Sequence, residues 1–201
     1  SERELVMTIE YIHEKYPDIA VILDAKRGDI GSTASKYAIE VFDRYKADAV
    51  TINPYMGGDT LKPFLERKDK GVVVLCRTSN PGARDIQDLV VDGKKLYRIV
   101  AEKAANEWNY NGNLLLVVGA TYPLELKEIR SIVGDIPLLV PGIGAQGGDV
   151  EQSVTSGRDS RGTGMIINSS RGIIYADNGP GFAEAARSAA MELRDEVNKY
   201  R

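Results

Sequence analysis

Cysteine, histidine and tryptophan occur once each in this chain of 201 residues. A lone cysteine, Cys76 in the run GVVVLC, cannot close an intrachain disulfide. A reducing, cytoplasmic setting is therefore expected, with Cys76 a core residue. One histidine and one cysteine leave no cluster for a zinc site. They also leave no base for a nucleophilic serine: Ser79 sits in T-S-N-P-G rather than in a G-x-S-x-G elbow. No apolar run is long enough to cross a bilayer, so no membrane role is expected. Neither sign of charge is in excess, since 26 Lys and Arg against 29 Asp and Glu give a net −3. That balance offers no broad basic field for nucleic acid, although a small anion needs only a local positive site. What remains is ordinary for a globular enzyme-sized chain, with 43% hydrophobic and 27% charged residues to build a core and a surface.

The pattern of apolar runs supplies the architecture. Leu5, Ile9, Ile12 and Tyr16 fall on one helical stripe that Pro17 ends. His13 lies beside it, has no partner nearby in sequence and is kept out of the site. A strand beginning near Ile19 follows, then a helix over Thr33–Lys46, a strand over Ala49–Asn53 and a short helix from Thr60. Val72–Arg77, Leu114–Gly119, Leu138–Val140 and Met165–Asn168 read as further strands, with helices at Lys94–Asn109, Tyr122–Val133 and Phe182–Tyr200. Continuous apolar strands alternating with helices predict a parallel sheet covered on both faces. Polar or glycine-rich clusters follow nearly every strand. An open doubly wound sheet concentrates its ligand site at one switch point, whereas a barrel gathers all its strand ends in one mouth. The expected fold is therefore an α/β (β/α)8 TIM barrel, with about six of its eight βα units in this chain. At about 30 residues per unit, a complete barrel needs roughly 60 residues before Ser1. Residues 1–201 are expected to form one barrel domain lacking its first two strands.

Two places carry chemistry. In IAVILDAKRGDIGST (Ile19–Thr33) a buried strand runs straight into Asp24, Lys26 and Asp29. Asp24 and Lys26 are two apart and share a strand face, so Lys26 is expected to stay in its charged, proton-donating form. The alternative is a structural salt bridge closing the strand. The second place is the pair of strand ends Pro141–Asp149 and Asn168–Gly172. There glycines expose backbone N–H groups, Gln146 adds a donor and Arg171 adds a guanidinium, as in the phosphate site of barrels. A dinucleotide fingerprint does not fit Gly142, Gly144 and Gly147. A magnesium site that uses Asp24 and a second acid stays open.

The motifs D-A-K-R-G-D-I-G-S-T (Asp24–Thr33), N-P-Y-M-G-G-D (Asn53–Asp59), C-R-T-S-N-P-G (Cys76–Gly82), P-G-I-G-A-Q-G-G-D (Pro141–Asp149) and N-S-S-R-G-I-I-Y (Asn168–Tyr175) occur in that order. Together they closely resemble the orotidine 5′-phosphate decarboxylases with longer inter-motif loops. The resemblance implies a homodimeric barrel that needs no cofactor and no metal, and makes uridine monophosphate and carbon dioxide in pyrimidine biosynthesis. It implies that Asp24 lies near the departing carboxylate and that Lys26 protonates the carbon left behind. Asp29 and Thr33 would serve the neighbouring subunit's site. Ser79 would bind the pyrimidine edge, Gln146 would bridge base and phosphate, and Arg171 with the Gly172 amide would hold the phosphate. Ile30 and Pro141 complete the implied substrate contacts. The family's first-strand acid and second-strand lysine would precede Ser1. Two rivals remain: a magnesium-dependent keto-hexulose-phosphate lyase or synthase of the same superfamily, and a non-catalytic nucleotide-binding remnant.

Overall fold

The structure, a computed structural model, describes residues 2–143 and 149–201. The chain divides into two compact units, 1–75 with 106–115, and 76–105 with 116–201.

In the first unit, α1 (Glu2–Lys15) buries Ile9, and β1 (Ile22–Arg27) follows. His13 does have a partner: its Nε2 lies 2.9 Å from Asp48 Oδ2, which also accepts the Val21 amide at 2.7 Å. Sequence proximity hid this partner, since the two residues are 35 positions apart. Next come α2 (Gly31–Ile39) and β2 (Ala49–Ile52), then α3 (Gly58–Leu65) and β3 (Gly71–Arg77). The helix expected over Thr33–Lys46 starts two residues earlier and loosens into a π turn at Glu40–Arg44. Ala34, Ala38, Val41 and Phe42 keep one buried stripe through that change, and the rings of Phe42 and Phe64 meet edge to face at 6.4 Å. All four residues of β2 are buried, as a strand packed on both faces requires. After α3 the chain is held by Asn113, whose Nδ2 donates to the carbonyls of Leu65, Arg67 and Lys70 at 3.0–3.1 Å.

In the second unit β3 ends at Arg77, and the segment read as a polar loop carries structure of its own. It holds a 3-10 turn (Pro81–Asp85) and a hairpin of β4 (Val90–Val91) and β5 (Lys94–Lys95). The hairpin turn is Asp92-Gly93, both with positive φ (51° and 78°), the backbone that a two-residue turn demands. Then follow α4 (Leu96–Lys103), β6 (Leu114–Val118), α5 (Pro123–Val133) and β7 (Leu138–Pro141). A helix absent from the sequence reading, α6 (Val150–Gly157), is capped by Asp149, whose side chain accepts the Gln152 amide at 2.7 Å. Last are β8 (Met165–Asn168), the short α7 (Arg171–Ile174) and α8 (Phe182–Val197). Arg130 ties the end of α6 to the segments that lead into β7 and β8, donating to the carbonyls of Gly157, Ile136 and Gly164.

The main sheet has six strands in the hydrogen-bonded order β1-β2-β3-β6-β7-β8. The pairs β1–β2, β2–β3, β6–β7 and β7–β8 are parallel. Strand order that follows chain order, with a helix at each crossover, is the βα repeat of a barrel wall.

Candidate active site

In the first unit the candidate catalytic residues sit where β1 stops being a regular strand. Leu23 pairs with Val50 and Arg27 with Ile52, so Asp24, Ala25 and Lys26 all face the single residue Thr51. This is a bulge with two surplus residues. Lys26 takes φ +46°, the left-handed region that a lysine adopts at a cost of about 1–2 kcal/mol. Asp24 and Lys26 still share a face, as expected, and Lys26 Nζ donates to Asp24 Oδ1 at 2.6 Å. Both side chains are more than half exposed, and an ion pair so placed contributes at most about 1 kcal/mol. The pair therefore returns no more stability than its backbone consumes. Stability alone does not account for the pair.

Thr51, which the sequence reading did not single out, is 1% exposed. Its hydroxyl accepts the Lys26 amide at 2.9 Å and donates to Asp24 Oδ1 at 2.8 Å. The only signal for it was one hydroxyl inside the apolar run AVTI. Beyond the bulge, Arg27 is pinned by Glu40 at 2.7 Å and lies over the Tyr37 ring. Asp29 Oδ1 accepts the Ile30 amide at 2.8 Å, Ile30 caps α2, and Thr33 stands exposed in the first turn.

In the second unit Ser79 follows β3 in a loop built by side chains. Gln87 accepts the Thr78 amide and donates to the Thr78 hydroxyl, both at 2.9 Å. Arg77 anchors this loop from below. It is 2% exposed, donates to Glu125 Oε2 at 2.6 Å, reaches Asp88 at 3.3 Å and lies over the rings of Tyr97 and Tyr122. Gly119, at the end of β6, leaves room for Ser79: a β-carbon there would lie 2.9 Å from Ser79 Cβ and 3.1 Å from its amide nitrogen. Pro141 ends β7 opposite Asn168 of β8, and Arg171 and Gly172 are exposed at the start of α7. Gln146, with Gly144 and Gly147, lies outside the described residues. Burial pushes the Cys76 thiol up to about 12, against a small opposing effect of Arg77, which fits its reading as an inert core residue. Among the described residues no group of three or more His, Cys, Asp and Glu side chains could hold a metal ion. No described helix is long and apolar enough to cross a membrane.

Parallel βα units with polar residues gathered at the strand ends define the (β/α)8-barrel class. Residues 2–187 match the family model described as orotidine 5′-phosphate decarboxylase / HUMPS family. The orotidine 5′-phosphate decarboxylase of Cupriavidus metallidurans is 60% identical over 201 residues, which are all of this chain and 74% of that protein. Among solved structures, Leishmania donovani UMP synthase aligns with a TM-score of 0.86 at 44% identity, over 96% of this chain and 42% of that one. Leishmania donovani OMP decarboxylase aligns with a TM-score of 0.82 at 41% identity, over 96% of this chain and 74% of that one. The chain belongs to the orotidine 5′-phosphate decarboxylase / HUMPS family, the family that its five motifs resemble.

Proposed function

We propose that this chain supplies six of the βα units of the catalytic barrel of an orotidine 5′-phosphate decarboxylase, a carboxy-lyase that forms uridine monophosphate and carbon dioxide in pyrimidine biosynthesis. The observation that carries the reading is the Lys26–Asp24 pair, held at 2.6 Å on a bulged strand that gains no stability from it. Relatives about 60% identical over the whole chain bear the decarboxylase name, which favours this activity over a hexulose-phosphate lyase or synthase. An intact Asp24, Lys26, Asp29 and Thr33 favour it over a non-catalytic remnant.

In the reaction the bond from pyrimidine C6 to the carboxylate breaks and its electron pair stays on C6. That carbanion lies in the plane of the ring and has no π-system to spread into. Without a cofactor as electron sink, a fixed ammonium is the available stabiliser. Lys26 supplies it and passes its proton to C6, carbon dioxide departs past Asp24, and solvent returns the proton to the lysine. Asp29 and Thr33 are assigned to the partner's site in a homodimer. Ser79 holds the pyrimidine edge, Ile30 and Pro141 make further substrate contacts, Gln146 bridges base and phosphate, and Arg171 with Gly172 takes the phosphate. Phosphate binding far from C6 then helps to drive the chemistry. Residues 1–201 contribute six strands to one barrel domain, in a reducing cytoplasm.

The test uses two variants of the full-length protein. Lys26→Ala is expected to abolish turnover while leaving uridine monophosphate affinity within about tenfold, because the lysine acts mainly in the transition state. A variant that keeps a tenth of the wild-type rate overturns the role. Mixing Lys26→Ala with inactive Asp29→Ala chains should restore activity through hybrid dimers, and a mixture that stays inactive refutes the shared site.

A further inference from the structure

We propose that Thr51 is a positioning residue for the reaction, setting the place of Lys26 through the strand bulge; the inference rests on the decarboxylase reading and extends it. In a regular parallel ladder alternate residues of β1 would exchange amide and carbonyl hydrogen bonds with β2. Here three residues of β1 face one residue of β2, so the register breaks at Lys26 and its amide turns to a side chain. The Thr51 hydroxyl takes that amide at 2.9 Å. A hydroxyl carries one hydrogen, and Thr51 gives it to Asp24 Oδ1 at 2.8 Å. Both of its roles are thus used, on the two residues that bracket the bulge.

Rigidity follows from the same placement. Thr51 is β-branched, fully buried and sits on a strand buried along its whole length, so its side chain has little freedom. Lys26 is in left-handed backbone, a conformation that persists only where the surroundings over-determine it. Its side chain is half exposed, and Asp24 is the one described carboxylate within salt-bridge distance of it. Packing therefore does not fix the ammonium. A bond to its own amide and a bond to the carboxylate that holds its Nζ do, and both go to one oxygen. Thr51 bonds the Lys26 amide and the Asp24 carboxylate, so its effect is on geometry.

Thr51→Val keeps the shape and removes the oxygen, whereas Thr51→Ser keeps the oxygen and removes a methyl. A lysine displaced by about 1 Å should cost up to roughly 100-fold in rate. In the full-length protein, Thr51→Val is expected to lower kcat between about 10- and 100-fold with uridine monophosphate affinity within about threefold, and Thr51→Ser to restore kcat to within about threefold of wild type. A Thr51→Val enzyme with wild-type kcat overturns the proposal, as does a Thr51→Ser enzyme as slow as Thr51→Val. Hydrogen exchange of the Lys26 amide separates this idea from the function it rests on. If the wild-type protein does not decarboxylate orotidine monophosphate, the functional reading fails. Faster Lys26 amide exchange in Thr51→Val would even then support the Thr51 linkage, and unchanged exchange would overturn it.

Discussion

Gly119 shows how much of an active-site loop is decided by a side chain that is missing. Ser79 stands so close that no β-carbon fits between them, at 2.9 Å from Ser79 Cβ. A Gly119→Ala substitution must therefore push the Ser79 backbone outward or strain β6. Overpacking of this kind costs about 1–3 kcal/mol. If Ser79 reads the pyrimidine, the same shift raises KM by about tenfold, which is the worth of one hydrogen bond. Steady-state kinetics and thermal unfolding check both parts, and an unchanged KM would separate Ser79 from the base. Thr51 and Gly119 share a reason for being illegible in the sequence. Charged residues at strand ends announce themselves, so Asp24, Lys26, Asp29 and Arg171 could be named from the motifs. A residue that acts by accepting one amide, or by leaving a space, has no compositional signature, and its partner lies 25 positions away for Thr51 and further for Gly119.

At the scale of elements, the end of β3 depends on a buried charge. Arg77 is enclosed by Glu125, Asp88 and two tyrosine rings, at 2% exposure. Removing one partner of such a cluster strands the others, at about 3–5 kcal/mol. Arg77→Met is expected to lose that much in urea unfolding. The double variant Arg77→Met with Glu125→Leu should recover part of it, because the stranded carboxylate is then gone, and a double variant no more stable than the single one would refute the cluster as the cause. The strands themselves were legible because each is a short apolar run of branched residues. Helix ends were less so. Thr33–Lys46 and Lys94–Asn109 read as continuous helices, yet both relax into π turns, at Glu40–Arg44 and Ala104–Trp108, where side-chain period alone cannot tell the two hydrogen-bond patterns apart. The hairpin and α6 did carry signals. Val-Val-Asp-Gly-Lys-Lys holds the turn pair that fits a two-residue hairpin, and Asp149 with Gln152 three residues on has the spacing of a capping box.

Over the whole molecule, acid stability is set by carboxylates tied to amides. Burial pushes Asp159 up, but the amides of Thr163 and Arg161, with the Arg161 and Thr163 side chains, outweigh it and hold the carboxyl at about 2. Asp48 is also burdened by burial and lowered on balance by the Val21 amide and His13. A carboxyl depressed in the folded state contributes its stability above the unfolded value of about 3.9 and loses it as pH falls toward the folded value. The melting temperature is therefore expected to fall between about pH 4 and pH 2. Asp159→Asn should begin lower at pH 7 and show a shallower acid limb. Melts across that range check it, and parallel limbs for the two proteins would rule out Asp159 as a cause.

The two surplus residues of β1 have a consequence for how such a chain can be improved. A sheet without them would pair evenly, relieve the left-handed lysine and free Thr51 from its double duty. Any search that scores folding alone, in the laboratory or by drift, is drawn toward that tidier strand, and each step toward it alters the backbone that now sets Lys26 against Asp24. If Lys26 is the proton donor, stability and reactivity compete here for the same few residues.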